Sequence, residues 1–192
     1  LFRAFLLKAS EGRSAPDFSL KSLAGSPGRT DLIARCIISA LYSTKGPRMD
    51  SRLIVVLEGP PNPPVALTFE GSSMDSVPES EVGAAKVFFD ALSGIQIKGV
   101  KVERKSFGKA VAELREQRLD IFYLHEEGED SRRVSFTKDS AFILGDQKGL
   151  DPQSERLLDG LKAKRVSLGP HSYLASHCIT IVQGELDLLE KR

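Results

Sequence analysis

The run Leu53-Ile54-Val55-Val56-Leu57 is apolar throughout. As a strand it has no polar side to turn to water, so it needs cover on both faces. Ile121 to Leu124 and Ala141 to Leu144 are shorter runs of the same kind. Segments of helical period separate them, and the alternation of the two reads as α/β.

Phe2 to Lys8 is a first strand. Thr30 is placed to cap a helix running to about Thr44, with Ile33, Ile37, Ala40 and Leu41 on one face and Asp31 in the first turn. Val65, Leu67 and Phe69 alternate as in a half-buried strand. Glu79 to Leu92 reads as a helix, Val100 to Arg104 as a strand, and Phe107 to Arg118 as a helix. Glu126 to Lys138 is charged and expected to be irregular. Asp151-Pro152 starts a helix with Leu157, Leu158 and Leu161 on its apolar face. Arg165 to Leu168 is a strand, Gly169-Pro170 turns the chain, and a last helix runs from about Ser172 to Lys191.

Three strands in the C-terminal third end in polar or glycine-rich loops, at Leu124-His125, Leu144-Gly145-Asp146 and Leu168-Gly169-Pro170. In open α/β sheets, ligands bind outside the carboxyl ends of the strands. The three loops are either such a site or ordinary connections.

The chain of 192 residues suits one domain, spanning 1–192. With 41% apolar and 28% charged residues, it is neither fibrous nor wholly disordered. Two cysteines exclude a disulfide scaffold and a multi-cysteine zinc site. No apolar run approaches the ~18 residues of a membrane span, so the expectation is a soluble, cytoplasmic protein without a membrane partner. The net charge of +1 hides a segregation: residues 1–60 carry +4, 61–97 carry −4, 98–110 carry +4, 111–160 carry −5 and 161–192 carry +2. Local basic blocks can steer an anionic partner even when the total is near zero.

The glycines form no G-x-G-x-x-G turn, no P-loop and no G-x-S-x-G elbow. His125, His171 and His177 lack the spacing of a helical zinc motif. Cys178, near the start of the last helix, is either a thiol activated by the helix end or a small filler that lines a pocket through its N–H. Cys36 lies among apolar residues and is expected in the core. Asp146 is placed to take a proton or to cap a turn. Asn62 sits in Gly-Pro-Pro-Asn-Pro-Pro, where the prolines hold it either for a base edge or in a plain surface turn.

Three blocks carry a resemblance: GPPNPPVALTFEG (59–71), FILGDQKGL (142–150) and AKRVSLGPHSYLASHCITIV (163–182). With FLLKAS near the start, PGRTDLIARCI (27–37) and YLHEEGED (123–130), they resemble the TrmY family of archaeal tRNA pseudouridine-54 N1-methyltransferases, in order and spacing along nearly the whole chain. The resemblance implies a single SPOUT methyltransferase domain with a largely parallel sheet flanked by helices, a C-terminal trefoil knot, and a homodimer. It further implies S-adenosylmethionine held, mainly by backbone groups, at Leu124, Gly145, Ser167, Leu168, Gly169, Pro170, Tyr173 and Cys178. Three positions depart from the family pattern: Gln147 where a His often follows Gly-Asp, Gly169 for Ser, and Ser176 for Asn.

The implied reaction methylates N1 of pseudouridine 54 in the T-arm of tRNA and needs no metal, because the sulfonium donor is already activated. Asp146 is the expected proton acceptor. Asn62 and Arg35 are expected to face the uracil carbonyls. Arg29, Arg35, Lys45 and Arg48, with Lys98, Lys101, Arg104 and Lys105, are the expected phosphate contacts. The alternatives are a pseudouridine in small-subunit ribosomal RNA, or a non-catalytic RNA-binding factor on the same fold.

Overall fold

The computed structural model describes residues 1–190 of the chain. The strands are β1 (Arg3–Arg13), β2 (Ser51–Gly59), β3 (Val65–Glu70), β4 (Val100–Glu103), β5 (Asp120–Asp130), β6 (Ser140–Gly145) and β7 (Lys164–Ser167). The helices are α1 (Thr30–Leu41), α2 (Glu81–Leu92), α3 (Phe107–Glu116), α4 (Pro152–Gly160) and α5 (Ala175–Leu189). One seven-stranded sheet has the order β4-β3-β2-β1-β6-β5-β7. β2, β1, β6, β5 and β7 are parallel, while β3 and β4 add an antiparallel edge.

The uninterrupted run in β2 is explained by its two faces. Leu53, Val55 and Leu57 enter a core with α1, α2 and α5, while Ile54 and Val56 enter another with α3 and α4. Central β1 divides in the same way, Phe5 and Leu7 to one side and Ala4 and Leu6 to the other.

Several boundaries differ from those the sequence predicts. α1 ends at Leu41, and its cap is Arg29 in the left-handed conformation (φ 50°). Thr30 is instead the first helical residue and is buried. α2 begins at Glu81, because Ser80 accepts the Gly83 N–H. β5 runs on through Asp130, well into the segment expected to be irregular. Its register breaks after Leu124, and Glu129 and Asp130 then pair with Val166 and Ser167. Gly128 permits this crossing, since a Cβ there would sit 2.5 Å from the Val166 nitrogen. Charge masked the strand, whose pairing comes from the chain 37 residues on, in β7. α4 starts as predicted, Asp151 accepting the Gln153 and Ser154 N–H groups, but it ends at Gly160, and of the three leucines expected on its apolar face only Leu158 is buried. α5 starts at Ala175, because residues 168–174 form a loop, and Lys191 lies outside the described residues.

A polar cluster fixes α5 across the sheet. The Arg3 side chain is fully buried and pairs with Asp50 (2.6 Å), Asp187 (2.7 Å) and Glu190 (3.0 Å). Gln183 donates to the Ala40 carbonyl at 2.8 Å and to Ser51 Oγ at 3.1 Å. The cluster lies at the amino ends of β1 and β2. Among the described residues, no helix is long and apolar enough to cross a membrane.

Candidate active site at the carboxyl ends of the strands

The parallel strands direct their carboxyl ends to one edge, where a cleft of about 820 Å³ opens between residues 124–127, 144–150 and 166–178, with Leu32 of α1 on its wall. That size suits a small-molecule ligand. The structure brings together seven of the eight residues expected around the donor: Leu124, Gly145, Ser167, Leu168, Gly169, Tyr173 and Cys178 all line the cleft. Pro170 is not among the lining residues. Its missing N–H would leave it only a carbonyl to offer.

The loop after β6 is doubled back on itself. Asp146 and Gly149 form an antiparallel bridge, and the Gly149 N–H donates to the Asp146 carbonyl at 2.9 Å. The Asp146 carboxylate is buried. Its Oδ2 accepts from the Ser10 N–H (2.7 Å) and the Ser10 hydroxyl (2.6 Å), and its Oδ1 accepts from the Lys148 N–H (2.9 Å). Both oxygens are thus engaged in shaping the loop, with spare lone-pair capacity left chiefly on Oδ1. Gln147 and Lys148 both reach Glu11, at 2.7 and 2.8 Å.

The loop after β7 turns at Gly169, whose φ of 140° belongs to glycine. The Ser167 hydroxyl closes the turn by donating to the Gly169 carbonyl at 3.2 Å. The glycine at 169, where the resemblance leads one to expect serine, therefore fits the backbone found here. Cys178 is half-buried, and burial pushes its thiol up to about 11, the opposite of an activated nucleophile. Cys36 is fully buried in the core, as expected. His125 Nδ1 accepts from the Glu127 N–H at 3.1 Å, while His171 and His177 line the cleft at exposed positions.

Asn62 does not line this cleft. It stands in the turn after β2, beside the end of β1, where its N–H donates to Ser14 Oγ at 2.8 Å. Its side-chain amide has no hydrogen bond among the described residues. Arg104 donates to its carbonyl and, at 3.4 Å, to that of Pro63.

At the start of α1, buried Asp31 accepts from Arg29 Nε (3.0 Å) and from Arg35 Nη2 (2.8 Å). Burial pushes its carboxyl up, but the two guanidiniums outweigh this and hold it at about 2.

The expected basic surface contracts in three dimensions. Arg29, Arg35 and Arg104 lie at the edge of the sheet that carries the cleft. Lys45 and Arg48 lie in the α1–β2 connection and Lys98 in the connection before β4, at the other edge. Arg48 is moreover committed to Asp187, and Lys98 pairs with Asp75 at 2.6 Å. Lys101 is on the edge strand, paired with Glu103, and Lys105 is buried between Glu103 and Glu113. The charge count along the sequence missed these neutralising carboxylates, since Asp187 is 139 residues from Arg48. Reading by motif also passed over the apolar cleft walls Leu32, Leu150 and Leu174, which only the folded loops bring together with Leu144.

The family described as SAM-dependent RNA methyltransferase matches residues 2–191. A tRNA (pseudouridine(54)-N(1))-methyltransferase of Thermococcus gammatolerans is 39% identical over 199 residues, covering 97% of this chain and 98% of that protein. The protein of the same name from Methanocaldococcus jannaschii is 38% identical, covering 96% of each. Among solved structures, Nep1 of Archaeoglobus fulgidus bound to S-adenosylhomocysteine superposes over the full length of both chains with a TM-score of 0.68 at 14% identity. The SpoU methyltransferase AviRb of Streptomyces viridochromogenes gives 0.50 at 15% identity, covering all of this chain and 61% of that one. At such identities the superpositions speak for the fold.

Proposed function

The chain belongs to the SAM-dependent RNA methyltransferase family, and on that premise we propose that it transfers a methyl group from S-adenosylmethionine to N1 of pseudouridine 54 in tRNA. The observation that carries this is the near-full-length identity to two enzymes of that name. The cleft supports it. Its walls come from the FILGDQKGL and AKRVSLGPHSYLASHCITIV blocks, and Glu126, Glu127 and Glu155 give it an acidic side suited to a cationic donor.

Transfer from a sulfonium is an in-line displacement: the N1–C bond forms as the C–S bond breaks, and the N1 proton leaves. The backbone of 145–149 and 167–173 holds the donor against the apolar walls. Asp146 borders the space the acceptor must enter and takes the proton on Oδ1, directly or through a water. The free amide of Asn62 faces the uracil carbonyls, where charge accumulates as the proton is lost, whereas the Arg35 guanidinium is turned to Asp31 at 2.8 Å and Glu81 at 3.6 Å and lies outside the cleft lining. The base reaches the cleft by leaving its stack, at a cost of a few kcal/mol. Phosphate contacts from Arg29, Arg35 and Arg104 offset part of that cost.

The same reading takes the whole chain as one SPOUT domain with a C-terminal knot. It also takes the protein as a cytoplasmic homodimer. Exposed Tyr173, Leu174 and Leu188 support a partner copy, and two free cysteines support a reducing compartment.

The test is methylation of two tRNA transcripts, one with pseudouridine and one with uridine in the T-arm, read by mass spectrometry of the digested RNA. Methyl on the pseudouridine transcript alone is the expected result. Methyl on neither, with donor binding intact, overturns the tRNA assignment in favour of ribosomal RNA or a non-catalytic role. The contracted basic edge gives a second expectation. Arg29→Ala with Arg104→Ala weakens tRNA binding and lowers the slope of log K against log salt by about 2, one phosphate contact per residue. An unchanged slope removes these residues from the RNA surface.

A further inference from the structure

The end of β1 carries a feature that the reaction as described does not use. β1 is the central strand, with β2 on one side and β6 on the other. Its ladder with β6 stops at Lys8↔Gly145. Its ladder with β2 breaks between Ala9, paired with Leu57, and Arg13, paired with Gly59. Four steps along β1 thus match two along β2. The surplus makes a wide bulge at Ser10-Glu11-Gly12, and bulges of this kind re-aim side chains at strand ends.

Glycines make room for it. A Cβ on Gly12 would stand 2.7 Å from Leu57 Cδ2, and a Cβ on Gly59 would stand 2.5 Å from the Glu11 carbonyl oxygen. The bulge frees groups that a regular ladder would consume. The Ser10 N–H and hydroxyl both go to Asp146 Oδ2, at 2.7 and 2.6 Å. Glu11 holds Gln147 and Lys148. Two residues past the bulge, buried Ser14 turns the other way. Its N–H donates to the Pro60 carbonyl at 3.1 Å, and its Oγ accepts the Asn62 N–H at 2.8 Å. One short stretch therefore grips the loop after β6 with its first residues and the proline-rich turn after β2 with its last.

We propose that Ser10 to Ser14 is a positioning strap that sets the donor loop and the acceptor turn relative to each other, Ser10 acting on the donor through Asp146 and Ser14 acting on the acceptor base through Asn62. The proposal rests on the reading of the cleft as the donor site and of Asn62 as an acceptor contact. In-line transfer tolerates little error between donor and acceptor, so a single covalent stretch holding both loops is a direct way to fix their separation. Both serines act through other residues and touch neither substrate.

The two ends of the strap predict opposite readouts. In the full-length protein, Ser10→Ala lowers S-adenosylhomocysteine affinity by calorimetry about tenfold, the worth of the one hydrogen bond to a charged group that the hydroxyl makes. It leaves KM for pseudouridine-containing tRNA within about twofold. Ser10→Thr keeps the hydroxyl and restores most of the affinity. Ser14→Ala raises KM for the tRNA about fivefold, as loss of one neutral hydrogen bond, and leaves S-adenosylhomocysteine affinity unchanged. A merely structural role would move both parameters together in either variant, and that outcome overturns the proposal. So does a Ser10→Ala protein that binds S-adenosylhomocysteine as the wild type does, or a Ser14→Ala protein with an unaltered KM. Should Ser10→Ala fail to fold, exposed Glu11→Gln loosens the same loop and is expected to weaken donor affinity alone; unchanged affinity there overturns the strap equally. A wild-type protein that does not bind S-adenosylhomocysteine overturns the donor reading beneath it, a failure distinguishable from the others because it shows before any substitution.

Discussion

Gly145→Ala abolishes donor binding and leaves the chain folded. Gly145 is the last residue of β6 and the first of the doubled-back loop. A Cβ there would overlap the carbonyl group of Gly149 and lie 2.7 Å from its Cα. These are backbone atoms, so no rotamer change relieves the clash. The loop must open, which breaks the Asp146–Gly149 bridge and carries the Gly149 backbone away from the cleft. The ladder behind it is not threatened, because Gly145 forms the final pair with β1 and the buried residues Ala141 to Leu144 precede it. Affinity for S-adenosylhomocysteine is expected to fall by at least about 100-fold, which corresponds to about 2.7 kcal/mol. The circular dichroism spectrum stays that of the wild type. Gly160→Ala, at the end of α4 with no atom within 4 Å of the added carbon, is the control and binds normally. Calorimetry on the two variants decides the matter. A Gly145→Ala protein within about threefold of wild type would place the donor elsewhere.

The contrast between those two glycines shows how far the chain's own pattern carries. Apolar runs without polar alternation implied a sheet covered on both faces, and Leu53 to Leu57 is divided between two cores in that way. Loops at strand ends, together with the resemblance of three blocks, led to seven of the lining residues. What stayed hidden depends on contacts between distant parts of the chain. β5 beyond Leu124 is polar because it runs along the edge strand β7 and is held by backbone pairing, which leaves no apolar trace. Lys105 and Arg48 read as free cations because the carboxylates that neutralise them come from other elements. Ser10 and Glu11 fall beyond the first strand as read, Phe2 to Lys8, since the bulge that turns them toward Asp146 follows from the mismatch between two ladders, and no local propensity encodes that.

Arg3→Ala is expected to cost about 3 kcal/mol or more of folding stability, within the range for breaking a buried ion pair from one side. The guanidinium is fully buried against Asp50, Asp187 and Glu190, whose side chains are 35%, 39% and 36% exposed. Water can reach those carboxylates and recover part of their solvation, which sets the expectation at the lower end of the range. Even so, a loss of this size is a large share of the ~5–15 kcal/mol that holds a domain folded. In urea the midpoint drops while the slope is kept. The effect depends on pH. Burial pushes the Asp187 carboxyl up, but Arg48 and Arg3 outweigh it and hold it below its ordinary value. A carboxyl depressed in the folded state adds stability that is complete above its unfolded pKa of about 3.9 and is lost as pH falls through the folded value. Removing Arg3 removes part of that depression and leaves the Arg48 part. The gap between wild type and variant is therefore constant from about pH 5 to 8 and narrows below about pH 4. A gap under about 1 kcal/mol, or one that stays level through acid, would mean that the cluster is solvated well enough to count as a surface pair. Donor affinity measured on the folded fraction is expected to change little. The cleft residues Ala175 and Cys178 sit at the amino end of α5, whereas Gln183 and Asp187 sit two to three turns away, with buried Ile179 and Val182 holding the helix between them. The cluster thus fastens the helix at the far edge of the sheet, so its loss is read in the urea midpoint while the donor cleft keeps its shape.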